Sequence, residues 1–141
     1  MARDRELTRV ADGIEALVMW VRRQAPSQVS SSTATTLDTL QSAGPLRISE
    51  LAARESISQP GMTTLINRLE AAGQAERIPD TTDGRATLVR ITTVGRTVLA
   101  DRHEARASAL RVELAGLNHD DREALIAAVP AIERLINRNR N

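Results

Sequence analysis

The chain has 141 residues, 41% of them hydrophobic and 1% aromatic, with a formal net charge of +1. That length suits one domain. With a single Trp and neither Phe nor Tyr, its core has to be built from Leu, Ile, Val and Ala, which favours packed helices over a β-sandwich. The absence of Cys excludes disulfides, cysteine-ligated zinc and thiol redox sensing.

A near-neutral charge points by itself to no nucleic acid, membrane or acidic partner. All 19 basic residues are Arg. Codon usage in a GC-rich genome is the simpler account of that; the functional one is bidentate recognition of phosphates and bases, which suits Arg better than Lys. The start "MARDREL" is charged and has no apolar core of a signal peptide. No apolar run reaches the length of a membrane span. The expectation is a soluble, cytoplasmic chain.

Residues 5–24 carry Leu7, Val10, Ala11, Ile14, Leu17, Val18 and Val21 on one helical face, with Trp20 beside the stripe. Pro26 and a Ser/Thr cluster break the pattern over 24–33. A short helix follows at about 33–42, anchored by Leu37 and Leu40 and stopped by Gly44 and Pro45. Segment 46–74 reads as two short helices joined by a tight turn. Ser49 is placed to cap the first, Ile57 sits in the turn, and Ser58 caps the second. Pro60 is tolerated in the first turn of that helix, where its missing N–H has no helical partner anyway. Met62, Leu65, Ile66 and Leu69 form the buried face, and Gly73 ends it.

Residues 75–79 and 86–92 look like two strands around the turn dipeptide Asp83-Gly84. Val89 between Leu88 and Ile91 spoils the alternation of the second. A long helix follows over about 93–116. Asn118, three residues before Asp121, signals the last helix, which carries Leu125, Ile126, Val129, Ile132, Leu135 and Ile136 and should bend at Pro130. The fold class is mainly α, with one small hairpin as its only β structure.

The middle of the chain has the spacing of a helix-turn-helix. Leu51 and Ala52 supply the packing face of the first helix, Ile57 the turn, and Met62 and Leu65 the second helix. Its exposed set is Ser58, Gln59, Pro60, Thr63, Thr64 and Asn67. Such turns often hold Gly where this chain has Ser56, which is strained if φ is positive there. An ordinary helical hairpin with a polar outer face is the plain alternative. The β-hairpin that follows at once makes a winged helix, whose second helix enters the major groove while the wing lies on the backbone or in the minor groove.

The stretches "ELA", "SQPGMTTLINRLEAAG" and "ERIPDTTDGRATLVRITTVGR" resemble the MarR family of bacterial winged-helix transcription regulators. The last contains the family's wing pattern, here Asp83, Arg85 and Ile91-Thr92. The flanking helices match in order and length, so the resemblance covers nearly the whole chain. It implies one MarR-like domain over 1–141, with a winged helix-turn-helix at 33–92 flanked by dimerisation helices at 5–24 and 93–139. It also implies a homodimer reading a pseudo-palindromic double-stranded operator, with half-sites about 34–36 Å apart. Apolar stripes longer than one small winged helix can cover agree with pairing. The family commonly binds small phenolic or anionic effectors. Gln74-Ala75 replaces two usual aliphatics, so a looser junction is expected there.

Arg85 is the candidate for minor-groove insertion; otherwise it is a solvated tip residue. Asp83 more naturally orients Arg85 or the wing backbone than touches phosphate, and Gly84 supplies turn geometry. Thr63 and Thr64 offer hydroxyls and methyls to base edges, and Gln59 suits adenine or a phosphate. Arg68 suits a phosphate, or else a salt bridge with Asp80 or Asp83. Ser30, Ser31, Ser32 and Thr33 form either a phosphate-binding helix start or a capping loop. Trp20 lines an effector pocket or a dimer contact.

His103 and His119 are too isolated for a metal site. No catalytic motif or cofactor-binding loop stands out, so an enzyme is not expected. The leading reading is a dimeric, ligand-relieved repressor. The second is a helical dimerisation or scaffold protein with a degenerate DNA-binding motif. Six Arg against six acids in 45–90 speak for the second.

Overall fold

The computed structural model describes residues 1–24 and 30–138. Six helices and a hairpin follow one another: α1 (Ala2–Gln24), α2 (Ser31–Ala43), α3 (Ile48–Arg54), α4 (Gln59–Ala71), β1 (Ala75–Pro79), β2 (Thr87–Ile91), α5 (Thr93–Ala115) and α6 (His119–Asn137). The expected break with Pro26 lies outside the described residues. The chain forms two compact units, one from Pro26–Glu104 and one from Met1–Ala25 with Ala105–Asn141.

In the Pro26–Glu104 unit the core is aliphatic, as a chain nearly without aromatics requires. Leu37 and Leu40 from α2, Leu51 and Ala52 from α3, and Met62, Leu65, Ile66 and Leu69 from α4 close around Val89 and Ile91 of β2. Val98 and Leu99 of α5 lie half-buried against the same cluster.

β1 and β2 pair antiparallel, from Ala75 opposite Ile91 to Pro79 opposite Thr87. The hairpin is not alone. Leu46 exchanges two backbone hydrogen bonds with Val89, at 3.0 and 2.8 Å, and so adds a one-residue third strand beside β2. A single residue leaves no periodic trace in a sequence. The irregular alternation of β2 is also explained. Val89 and Ile91 are the buried pair and Leu88 is only half-buried, so Leu88 is the residue out of phase.

The helix ends show how short sequences fix these elements. Ser30 caps α2, its hydroxyl accepting from Thr33 N at 3.2 Å. Ser58 caps α4 by accepting from Gly61 N, and Asn118 caps α6 by accepting from Asp121 N. Ser49 does not cap α3. Helix α3 begins two residues sooner, with Arg47 at the cap position and its N–H donating to Glu50 Oε2 at 2.8 Å. The β-bridge at Leu46 holds the chain extended up to that point, which leaves Ser49 already inside the helix. Helix α6 runs through Pro130 from His119 to Asn137.

Two helices end in the same way, with different residues. After α4, Gly73 takes φ 68°, its N–H bonds Glu70 O, and Gln74 N bonds Leu69 O. After α3, Ser56 takes φ 53°, its N–H bonds Ala53 O, and Ile57 N bonds Ala52 O at 3.0 Å. Both are Schellman ends, whose left-handed position favours Gly. Ser56 is the only non-glycine with positive φ among the described residues.

The Gln74-Ala75 junction is tight rather than loose. Ala75 is buried in the core. A Cβ on Gly95 of α5 would stand 2.2 Å from Gln74 O, so only Gly lets α5 lie on that backbone. Thr92 completes the corner, donating from Oγ1 to Gly73 O at 2.5 Å and accepting from Gly95 N.

In the other unit, large apolar side chains stand uncovered. Leu7, Val10, Ile14, Leu17, Val18 and Met19 of α1 are between 39 and 63% exposed. Leu125, Ile126, Val129, Ile132, Leu135 and Ile136 of α6 are between 43 and 56% exposed.

An L-residue in the left-handed region costs roughly 1–2 kcal/mol, of which glycine's extra unfolded-state entropy returns part. Ser56→Gly should therefore stabilise the fold by about 0.5–1 kcal/mol, read as a raised urea midpoint with an unchanged slope.

Candidate nucleic-acid interface

α3, the Ser56 turn and α4 form the helix-turn-helix. Met62, Leu65, Ile66 and Leu69 are buried, which turns Gln59, Pro60, Thr64, Asn67 and Arg68 to solvent, with Thr63 half-buried among them. Ser58 stands at the N-terminus with its oxygen engaged as the cap.

The polar groups on this face are partly committed. Thr63 Oγ1 donates to Gln59 O at 3.0 Å, and Thr64 Oγ1 to Pro60 O at 3.1 Å. Asn67 Oδ1 accepts from Arg77 Nη2 at 2.9 Å. Arg77 of β1 is itself held by Glu70, which accepts from its guanidinium and from its backbone N–H.

The wing is a seven-residue loop, 80–86, between β1 and β2. Asp80 N donates to Ala86 O at 3.0 Å, and Ala86 N to Asp83 O at 2.9 Å, closing a turn with Gly84 and Arg85 at its centre. Asp83 Oδ1 accepts from Arg85 N at 3.2 Å, so this carboxylate orders the wing backbone. Gly84 does not take a left-handed φ, and open space surrounds the position of a Cβ there. The turn therefore does not depend on glycine at this position.

A clamp the sequence did not announce ties the wing to α3. Arg47 Nη2 lies 2.9 Å from Asp80 Oδ2 and 3.5 Å from Asp83 Oδ2. The Asp80 side chain is 9% exposed and also accepts from Thr82 Oγ1 at 2.7 Å and Thr82 N at 3.0 Å. The Arg47 hydrogen bond first, then those from Thr82, hold the Asp80 carboxyl well below the usual carboxylate range. The same hydrogen bond raises Arg47. Its partners stand 33 and 36 residues away, so no local pattern signals the pair.

These contacts sort the balanced charge of 45–90. Glu70 pairs with Arg77, Glu76 with Arg90 at 2.7 Å, and Asp80 and Asp83 with Arg47. Glu50 accepts from Arg47 N, and Glu55 from Thr36 Oγ1 at 2.6 Å. All six acids are thus engaged within the unit. Arg54, Arg68 and Arg85 have no acidic partner among the described residues. The alternative reading of Arg68, a bridge to Asp80 or Asp83, is not formed; Arg47 bonds both carboxylates.

Of the serines at 30–32, Ser30 is the cap, its Oγ bonded to Thr33 Oγ1 and Ser32 Oγ, and Ser31 and Ser32 open helix α2. Trp20 is half-buried on α1. Among the described residues no group of three or more His, Asp or Glu could hold a metal ion, and no helix is long and apolar enough to cross a membrane.

Residues 29–87, the stretch that holds this helix-turn-helix and most of the wing, match the MarR family. An HTH-type transcriptional regulator of Mycobacterium tuberculosis is 32% identical over 133 residues, covering 91% of this chain and 93% of the relative. The chain belongs to the MarR family. It is an HTH-type transcriptional regulator with a winged-helix fold. The fold matches that of a transcriptional regulator of Thermotoga maritima, with a TM-score of 0.82 at 21% identity and coverage of 94% and 96% of the two chains. It also matches a mutant MarR of E. coli complexed with operator DNA, with a TM-score of 0.58 at 22% identity and coverage of 90% and 95%.

A depressed folded-state pKa contributes stability that is present above the unfolded value, about 3.9 for Asp, and is lost as pH falls below it. Wild type should thus lose stability between about pH 5 and pH 2 more steeply than Asp80→Asn. The difference between their urea midpoints should narrow steadily as pH falls across that range.

Proposed function

We propose that this MarR-family regulator is a homodimeric repressor that binds a pseudo-palindromic duplex and is released by a small phenolic or anionic ligand. The observation that carries the DNA contact is the charge sorting. With all six acids of 45–90 engaged internally, Arg54, Arg68 and Arg85 remain to meet phosphates or a groove. Ser58, Gln59, Pro60, Thr63, Thr64 and Asn67 face the major groove in this reading, and Arg68 meets the backbone. Asp83 and Gly84 shape the wing tip, and Arg85 enters the minor groove.

The bare apolar faces of α1 and α6 support pairing of two copies through the helices at 5–24 and 93–139. A ligand acts if it binds one spacing of the two recognition helices better than the other. Trp20, the single aromatic, is the residue proposed to line its site. No catalytic role is assigned, and the cytoplasm is the compartment where such a regulator meets its operator.

A gel-shift against the DNA upstream of its own gene tests the reading. Wild type should shift that duplex at low salt, with affinity falling steeply as salt rises. Arg85→Ala should weaken binding by roughly 1–3 kcal/mol. Arg68→Ala should flatten the salt slope by about one for each phosphate contact removed. No shift at low salt, with no effect of Arg85→Ala, would reject the DNA-binding role.

The dimer has its own check. Sedimentation should give twice the chain mass, and Ile132→Asp on α6 should give monomers with intact helical signal.

A further inference from the structure

The hydrogen bonds on the recognition helix restrict which bases it can read. We infer that α4 selects A·T pairs at the centre of each half-site, through thymine methyls and the adenine edge, and does not read guanine. This rests on the DNA-binding reading above and goes beyond it to the base chemistry.

Guanine is read in the major groove by donors, most often Arg or Lys directed at O6 and N7. Helix α4 has no Arg or Lys in its first two turns, where the one side-chain amide is that of Gln59. Arg68 is its tenth residue, roughly 13 Å along the axis from Gln59, while the N-terminal residues of a recognition helix meet base edges. The hydroxyls in the middle of the face are spent as donors. Thr63 and Thr64 give their protons to Gln59 O and Pro60 O. Each then presents a methyl group and an accepting lone pair. A methyl packs against the thymine C5-methyl, and the lone pair accepts from adenine N6.

The two amides differ. Asn67 Oδ1 already accepts from Arg77, which ties up one of its two lone pairs and orients the amide toward β1. The Gln59 side chain is exposed and carries no hydrogen bond among the described residues, which leaves it free for adenine N6 and N7. Cytosine also offers an amino donor to the threonine lone pairs, but only thymine rewards their methyls. The methyl contact is thus what separates the two.

The test uses the full chain and a pool of randomised duplexes, from which a preferred site is selected. The half-site centre should be A·T pairs. Replacing its thymines with uracil removes only the C5-methyl and should weaken binding about fourfold per contacted methyl. Thr64→Ser keeps the hydroxyl bond to Pro60 O and loses the methyl. It should bind thymine and uracil duplexes alike at the position it contacts, while retaining the helical signal of wild type. A G·C centre, or a uracil duplex bound as well as thymine by wild type, overturns the inference while leaving the DNA-binding role intact. Failure to select any duplex overturns that role, and this inference with it.

Discussion

Every polar group on the recognition face depends on one aliphatic core. Leu37, Leu51, Met62, Ile66 and Val89 are fully buried in it, and none is aromatic. Small side chains must interlock to fill such a core, since no large ring spans the gaps between elements. The helices are therefore brought close together. The Schellman turn at Ser56 lets α4 follow α3 without a loop, and Gly95 lets α5 lie on the Gln74 backbone. Once Met62, Leu65, Ile66 and Leu69 face this core, helical geometry leaves Gln59, Thr63, Thr64 and Asn67 no other side to occupy.

The electrostatics follow from that arrangement. A sequence with as many acids as arginines over 45–90 shows no basic patch by count. The fold instead pairs four of the six acids with arginines and hydrogen-bonds the other two, which leaves Arg54, Arg68 and Arg85 without an acidic partner among the described residues. Arg47 matters most here, because its one positive charge bonds both wing acids nearest Arg85 in sequence and offsets half of their charge.

Much of the site was legible from local signals. Ser58 as a cap and the start of α6 at Asn118 rest on hydrogen bonds within three residues, and the buried face of α4 and the strand at 75–79 show in the periodicity and turn signals of the chain itself. So does the strain at Ser56, whose place between Leu51-Ala52 and Ile57 demands a left-handed turn. What was misread depended on distant partners. Ser49 lost the cap because Leu46 is drawn into a bridge with Val89. The two wing acids that local charge offers to Arg68 go instead to Arg47. The junction at Gln74-Ala75 was judged by the size of its own side chains, whereas its tightness comes from Gly95 of α5.

The sequence by itself determined the elements, their order, the faces they bury and the family pattern of the wing. Those features are set by propensity, capping and periodicity, which act over one or two turns of chain. Only the tertiary structure decided which charges remain available and which amide is already bonded. Those pairings join residues 7 to 36 positions apart, and a hydrogen bond across that distance exists only once the core has brought its two ends together.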